Sequence, residues 1–344
     1  MQDITRKHWI DLTKALCMLG VYLKHSQVYS GSSDYGFFVN PFYVNAFFFL
    51  NGYLFFRRTQ EMTKPAILTY FNMGGVKYLT NLLFRLIIPT ILFATLIYVP
   101  KTLFHVGGVS LPDYFFNVWG GISYWFTSAL VVAQLVLFLL VCTFRQRSIW
   151  LYLVLTFMIS AFGLSMSRCS NDATAFFPWF YKTGLAYTFI MALGGLYARY
   201  EELIDLLLYK GWIVVAAVTY VVFVVLDGID PDFELDMMGL SASLNLWGFI
   251  CLMAGITLIV VVAKRMRAIR WLEYIGKNSI VFYFFSGVFP AVFGWIVQRI
   301  MSNTGYTKAI ITTIFSTLLA YLITCLLNKY APFVIDLRKL KHEK

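Results

Sequence analysis

The sequence predicts an all-α, polytopic membrane protein of about ten transmembrane helices, with both termini on the cytoplasmic side. Hydrophobic residues make up 60% of the 344 residues and charged residues only 13%, with a mean hydropathy of +0.71. A soluble domain is about half apolar and about a quarter charged. The apolar residues also fall in separated runs, and the basic residues between those runs alternate along the chain. Together these features exclude an ordinary soluble protein.

The apolar runs predict ten spans, because a helix needs roughly 20 mostly apolar residues to cross a bilayer. The sixth could begin nearer Phe176. With short loops between them, the spans predict a single membrane-embedded domain over residues 1–344 with no appended soluble domain. The predicted spans are 9–29, 39–56, 79–100, 122–143, 149–167, 184–198, 211–226, 240–263, 274–297 and 308–327.

The orientation follows from the positions of Lys and Arg, which concentrate in cytoplasmic loops. The loop 227–239 is acidic and has no Lys or Arg. An even number of helices with both ends inside accounts for this alternation. Nineteen basic residues fall in the two termini and the even-numbered loops, whereas the alternate loops hold five: Lys101, Arg168, Lys182, Arg299 and Lys308.

Several other protein classes are disfavoured. The net charge of +11 is explained by topology, so we expect a lipid bilayer and no nucleic acid as the charged partner. No cysteine pair has metal-ligand or CxxC spacing, which predicts neither a disulfide framework nor a metal site. The first apolar run carries charges, unlike a cleaved signal peptide. The cysteines are Cys17, Cys142, Cys169, Cys251 and Cys325.

The first predicted helix carries a polar stripe. At 100° per residue, Asp11, Lys14 and His25 lie within about 60° of arc on one face. An intramembrane charge costs about 2.5 kcal/mol or more at a helix centre, so it needs a partner, a wet cavity or a route to the interface. Asp11 and Lys14 are three residues apart and close enough to pair. Their structural alternative is a helix-end ion pair that fixes the insertion depth of the helix. His25 is a functional candidate, or an interfacial histidine bonded to a loop carbonyl, and its nearest acid in sequence beyond Asp11 is Asp34.

Five short motifs occur in order along the chain and resemble acyltransferase family 3, a family of bacterial membrane O-acyltransferases. The resemblance spans most of the sequence, including the layout of ten helices. The motifs are Arg6 with Trp9-Ile-Asp11-Leu-Thr-Lys14 and a later His25; Phe47-Phe-Phe-Leu-Asn51-Gly52-Tyr53-Leu54; Arg85-Leu-Ile-Ile-Pro89; Tyr124-Trp125-Phe126-x-x-x-Leu130; and Ile275-Gly276-Lys277-Asn278-Ser279.

The resemblance implies transfer of an acyl group, expected to be acetyl, from acyl-CoA to a hydroxyl of a cell-surface or lipid-linked glycan. The protein would be multi-pass in the bacterial inner membrane, with acyl-CoA as donor substrate and no permanently bound cofactor. His25 suits the general base, since an unperturbed imidazole has a pKa near about 6.5. Arg85, with Lys77 and Lys14, could bind the anionic donor near the cytoplasm, although Arg85 could equally be a snorkelling anchor.

The remaining candidates have structural alternatives. Asn51, Asn278 and Ser279 could donate to an oxyanion or to the acceptor, but interhelical hydrogen bonding is the favoured interpretation. Trp125 could stack on a sugar, although a tryptophan at that depth more often belongs to the interfacial belt. Two departures from the family matter. Leu82 stands where many members have a second Arg, so a contact to the cofactor phosphate that this Arg would make is not expected here. The ninth helix lacks the His that many members have, which suggests a divergent acceptor site.

A second function class is a transporter or exporter of a glycan or anionic small molecule, with Asp11, Lys14 and His25 as a polar path. Transporters often contain internal repeats and broken helices at matching positions. The sequence has no such symmetry, which disfavours this alternative. Acyl-CoA hydrolysis or transfer by the purified protein would separate the two classes, because a carrier should do neither.

The predicted topology can be tested by labelling. A cysteine introduced at Asp232 should react with an impermeant thiol reagent added outside intact cells, because the loop 227–239 is predicted to be external. A cysteine introduced at Arg267 should react only after permeabilisation. The opposite labelling pattern would contradict the predicted membrane orientation.

Overall fold

The computed structural model describes residues 7–30, 42–60, 75–105, 110–144, 148–168, 178–229, 244–301 and 306–336. These residues are almost entirely helical, and no β-strand occurs among them. The all-α prediction is therefore confirmed. The helices are α1 His8–Ser30, α2 Phe42–Gln60, α3 Val76–Leu82, α4 Ile88–His105, α5 Leu111–Tyr114, α6 Trp125–Phe144, α7 Ile149–Arg168, α8 Tyr181–Arg199, α9 Glu201–Leu207, α10 Ile213–Ile229, α11 Leu246–Arg265, α12 Arg270–Lys277, α13 Ser279–Phe285, α14 Val288–Ile300, α15 Tyr306–Tyr330 and α16 Pro332–Ile335.

A helix of the structure overlaps each of the ten predicted spans, although several boundaries differ. The third helical segment begins at Val76 rather than 79, which places Arg85 further inside the helix than the sequence predicted. Lys308, the predicted first residue of the tenth span, was counted with the loop charges but lies within α15, because that helix begins at Tyr306. Arg6, Asp34 and most of the acidic loop 227–239 lie outside the described residues.

Three spans are interrupted rather than straight. π-helical turns at Leu83–Ile87 and Leu208–Trp212 join α3 to α4 and α9 to α10. Gly211 has φ 111°, a backbone conformation that favours glycine, and it marks the second of these junctions. The predicted ninth span is divided among α12, α13 and α14, with a bend of 47° between α13 and α14.

Six helices in the described parts of the chain are long and apolar enough to cross a membrane, or seven if α13 and α14 form one bent span. This composition supports a multi-pass membrane protein, while the count of ten and the location of the termini stay predictions. Among the long helices outside this group, α1 and α8 are rich in buried polar or small residues. Such helices need less apolar surface because protein, rather than lipid, surrounds them.

The helices form two compact units, which are described separately. Unit 1 comprises Met1–Phe47, Leu203–Gly239 and Leu244–Lys329, and therefore holds α1, α10 and α11 to α15. Unit 2 comprises Phe48–Glu202, Leu240–Ser243 and Tyr330–Lys344, and holds most of α2 together with α3 to α8. The first helix of the chain thus belongs with the last long helices.

Unit 2 is organised by a close crossing of α2 and α8. A Cβ built on Gly52 would overlap the backbone carbonyl of Met191, and one built on Gly194 would overlap that of Phe49. Beside this crossing, the Phe48 ring stacks on Tyr187 with centroids 3.8 Å apart. Small residues allow two membrane helices to approach until their backbones touch, which explains why the second motif contains a glycine.

Gly52→Ala should therefore destabilise the protein. The added methyl group gains up to about 1 kcal/mol of helix propensity. It also forces an overpacking shift that costs about 1–3 kcal/mol, and the shift cannot be absorbed by a flexible side chain because the contact is backbone. The apparent melting temperature in detergent measures the balance. Gly287→Ala is the control, since a Cβ there meets nothing within 4 Å. Equal losses for both variants would contradict the close crossing.

Candidate functional site

The first helix is surrounded by the C-terminal helices of unit 1. α1 contacts α11, α12, α13 and α14. Asp11 is 3% exposed, and a Cβ built on Gly276 would overlap its backbone carbonyl oxygen. Two motifs that are more than 260 residues apart in sequence, the first-helix Asp and the Gly-Lys-Asn-Ser, therefore meet at one helix crossing. The glycine of the later motif is required by this contact.

Contacts above and below His25 hold the segment of α1 that carries it. One turn earlier, the Tyr22 hydroxyl donates to the Phe282 carbonyl at 2.8 Å. One turn later, the Gln298 amide donates to the Tyr29 carbonyl at 2.8 Å, and Gly294 lies against the backbone of Tyr29. The imidazole is thus positioned by a rigid helix rather than by a loop.

The His25 ring is half-buried and stacks on the Tyr29 ring, with centroids 6.3 Å apart and planes 15° apart. Within the part of the chain that the structure describes, the imidazole makes no hydrogen bond. The loop that follows α1 lies outside the described residues, so the alternative of a histidine bonded to a loop carbonyl stays a prediction. A ring nitrogen that no described group engages can meet a substrate hydroxyl.

The beginning of α1 is anchored by a charged cluster on the predicted cytoplasmic side. The Lys264 amine lies 4.8 Å from the centroid of the Trp9 ring and 2.6 Å from an Asp205 carboxylate oxygen. Cation–π and ion-pair contacts of this kind stabilise a partly buried amine. Lys14 is half-buried on α1 in the same unit. The cluster explains why a Trp precedes the Asp in the first motif.

Asn278 and Ser279 lie at the junction of α12 and α13. The Asn278 side chain donates to the Tyr274 carbonyl at 2.9 Å and accepts a hydrogen bond of 2.9 Å from the Asn328 amide on α15. Ser279 is the first residue of α13 and is half-buried. Asn278 therefore connects α15 to the helix break, which favours the interhelical hydrogen-bonding interpretation over an oxyanion donor.

Asn51 has a comparable interhelical role in unit 2. Its side-chain oxygen accepts from the Gln134 amide at 3.2 Å, and the Tyr78 hydroxyl lies 3.3 Å from the Gln134 side-chain oxygen. This chain of polar side chains links α2, α6 and α3. Asn51 thus stands beside Gly52 as a helix-packing residue.

The third motif produces the π-helical turn around Arg85. Pro89 has no N–H to donate to the carbonyl of Arg85, four residues earlier, and its ring would clash with that carbonyl in a regular helix. The helix widens at Leu83–Ile87 to relieve this conflict. The Arg-Leu-x-x-Pro pattern therefore encodes a local widening that carries the arginine at its centre.

Arg85 has an acidic neighbour that the sequence did not predict. Its Nε lies 3.5 Å from an Asp336 carboxylate oxygen; the Arg85 side chain is 59% exposed and that of Asp336 only 12%. The two residues are far apart in sequence, and only the fold brings them together. Lys77, the second residue of α3, is exposed.

Trp125 opens α6, as its motif predicted, and its ring lies 6.4 Å from that of Phe180. Trp179 and Phe180 both have left-handed backbones, with φ 55° and 49°. The Trp179 amide donates to the Gly120 carbonyl at 2.7 Å, which fixes the turn against the start of α6. Trp and Phe rarely adopt this conformation, so no sequence signal could have revealed the turn.

A second group missed from the sequence involves Tyr53, Arg57 and Glu201. The fully buried Tyr53 hydroxyl donates to a Glu201 carboxylate oxygen at 2.6 Å and accepts from Arg57 at 2.8 Å. Arg57 lies on α2, just beyond the predicted end of the second span at residue 56. Its partner acid is 144 residues away, a pairing that only the fold creates.

The comparison with protein families agrees with the motifs. A family model described as an acyltransferase domain, Acyl_transf_3, matches residues 7–329. The chain therefore belongs to acyltransferase family 3, and the match covers every motif that begins after residue 6. No curated protein and no solved structure matches the chain.

Proposed function

We propose that this membrane acyltransferase moves an acyl group, expected to be acetyl, from acyl-CoA to a hydroxyl of a cell-surface or lipid-linked glycan in the bacterial inner membrane. The observation that carries the proposal is the placement of His25 on the buried first helix of a chain that belongs to an acyltransferase family. Family membership favours transfer over transport, since a carrier needs no acyl donor.

The chemistry requires a base, donors for an oxyanion and cations for the donor substrate. His25 takes the proton of the acceptor hydroxyl as its oxygen attacks the thioester carbonyl. The tetrahedral oxyanion then collapses and breaks the carbon–sulfur bond. The CoA thiolate leaves and receives the proton from the imidazolium, so the base is regenerated and the products are an ester and free CoA.

Arg85 and Lys77 are proposed to bind phosphate groups of acyl-CoA. The Arg85 guanidinium is mostly exposed although it pairs with Asp336 through Nε. A guanidinium presents several donors in a planar fork, which suits it to bind a phosphate. Lys14 is proposed as a further contact of the anionic donor on the basis of its motif.

Replacing Arg85 tests the donor site. A hydrogen bond to a charged group contributes about 1.5–3 kcal/mol, so Arg85→Ala should weaken acyl-CoA binding roughly tenfold or more. Arg85→Lys should restore only part of the affinity because bidentate contact is lost. Titration of the purified protein with acyl-CoA measures the change.

The matched variant for this test is Asp336→Asn, which removes the carboxylate but keeps the guanidinium. It should bind acyl-CoA at least as tightly as the wild type. If Arg85→Ala folds and binds the donor normally, Arg85 is an anchor at the membrane and not a ligand for the phosphate.

Replacing His25 tests the general base. Because such a base contributes typically 10²–10⁴-fold, His25→Ala should reduce acyl transfer by roughly that factor while acyl-CoA binding persists. His25→Gln keeps a polar side chain but not its basicity, so its activity should stay low. The wild-type rate should fall as the pH drops, since a protonated imidazole cannot accept the hydroxyl proton.

The ester content of surface glycans, together with acyl transfer by the purified protein, provides the measurement. His8→Gln is the control, because His8 is exposed at the first residue of α1. Near wild-type acylation by His25→Gln would end the catalytic assignment and would favour the transporter class.

A further inference from the structure

The last long helix has two chemically different faces. One face of α15 is apolar and exposed, at Ile310, Ile314, Leu318, Leu322 and Leu326, as expected for contact with lipid. The opposite face places a residue every fourth position inside the protein, and most of these residues are polar. They are Lys308, Thr312, Ser316, Ala320 and Thr324.

The predicted outer end of this buried face carries a lysine. Lys308 is only 9% exposed, so most of its side chain lies against the protein. It lies in the first turn of a 25-residue helix, where the backbone N–H groups already present partial positive charge. A cation is disfavoured there, whereas an anion is attracted by both the amine and the helix end. Its burial therefore indicates a site for a negative group.

Two buried hydroxyls extend the same site inward. Thr312 and Ser316 are fully buried, and in the described parts of the chain neither side-chain oxygen has a hydrogen-bond partner. Among the same residues, no acid lies within ion-pair distance of Lys308. Buried polar groups are almost always satisfied, so two unpartnered hydroxyls on one face require a ligand or water. An ammonium with a hydroxyl donor one helical turn away suits an oxyanion.

Helix contacts within unit 1 relate this site to His25. The Phe293 ring on α14 stacks on Phe315 of α15 at 5.8 Å, and Gly294 on the same helix touches Tyr29 of α1. These contacts put Ser316 near the depth of His25, which is one turn before Tyr29. Lys308 then lies about 12 Å further toward the predicted outer surface, at ~1.5 Å per residue.

We propose that Lys308 and Thr312 bind an oxyanion carried by the acceptor, so that the glycan acylated by this protein is an acidic saccharide. The charged group, a carboxylate or a phosphate, is displaced from the reacting hydroxyl by the two helical turns that separate Lys308 from the depth of His25. The identification of the ligand as the acceptor rests on the proposed function, whereas the existence of an anion-binding site does not.

Ligand-induced stabilisation tests the site without knowledge of the natural glycan, because a ligand that binds only the folded state raises the apparent melting temperature. The probes are glucuronate and glucose 6-phosphate, with glucose as the neutral control. Wild-type protein in detergent should be stabilised by at least one charged probe and not by glucose. The probe that stabilises it distinguishes a carboxylate site from a phosphate site.

Substitutions on the buried face of α15 test whether the stabilisation arises from that face. Lys308→Met should weaken binding of the charged probe at least tenfold, whereas Lys308→Arg should retain most of it. Thr312→Val should weaken binding several-fold. Thr313→Val, the same change at the next residue, is the matched control, since the Thr313 hydroxyl donates to the Ala309 carbonyl at 2.7 Å. If Lys308→Met does not fold, Thr312→Val and its control carry the test.

Equal stabilisation by glucose and both charged sugars would overturn the proposal, as would unchanged binding by Lys308→Met or by Thr312→Val. Acyl-CoA turnover measured on the same preparation separates this result from the proposed function. Turnover without any charge-dependent binding contradicts only the acidic acceptor. Charge-dependent binding without turnover contradicts only the acyl transfer.

Discussion

The contact between the backbone of Asp11 and Gly276 is the constraint on which unit 1 depends. No side chain fits between the two helices at this point, so α1 and α12 must cross with their backbones touching. The crossing fixes the depth and rotation of α1, and every later side chain on that helix inherits this placement. Tyr22 and Tyr29 then reach α13 and α14 at successive turns, with His25 between them.

The helices differ in whether their polar residues are buried inside the protein. α10 and α15 are largely unburied and expose mainly apolar residues, whereas α1 and α8 carry many polar and small residues inside the protein. A hydrocarbon environment tolerates no unsatisfied polar group, so each inward hydroxyl, amide or charge requires a protein, water or ligand partner. Protein side chains supply the partner in two cases: Asn278 pairs with Asn328, and Asn51 pairs with Gln134.

The motifs that carry the family resemblance perform different physical tasks. Gly52 and Gly276 permit close helix crossings, Pro89 widens a helix around Arg85, and Asn278 bridges a helix break. The chemical roles of His25, Arg85, Lys77 and Lys14 stay proposals. Residues of one motif can thus be retained for different reasons, and the acyltransferase assignment rests on their combination over residues 7–329.

Much of the fold and part of the site could be predicted from the sequence. Apolar runs of bilayer length mark helices regardless of what they pack against, so a helix occurs at every predicted span. The polar stripe on α1 was also predictable, because 3.6-residue periodicity places Asp11, Lys14 and His25 on one face.

Long-range pairing was decided only by tertiary structure. Arg85 with Asp336, Tyr53 with Glu201, and Asp11 with Gly276 join residues that are far apart in sequence, and no local pattern specifies such partners. Lys308 looked like an outer-loop charge until its helix was placed, since hydropathy reports whether a segment is apolar but not which side of it faces the protein. Sequence by itself determined the helices and the family, whereas packing decided which polar side chains meet.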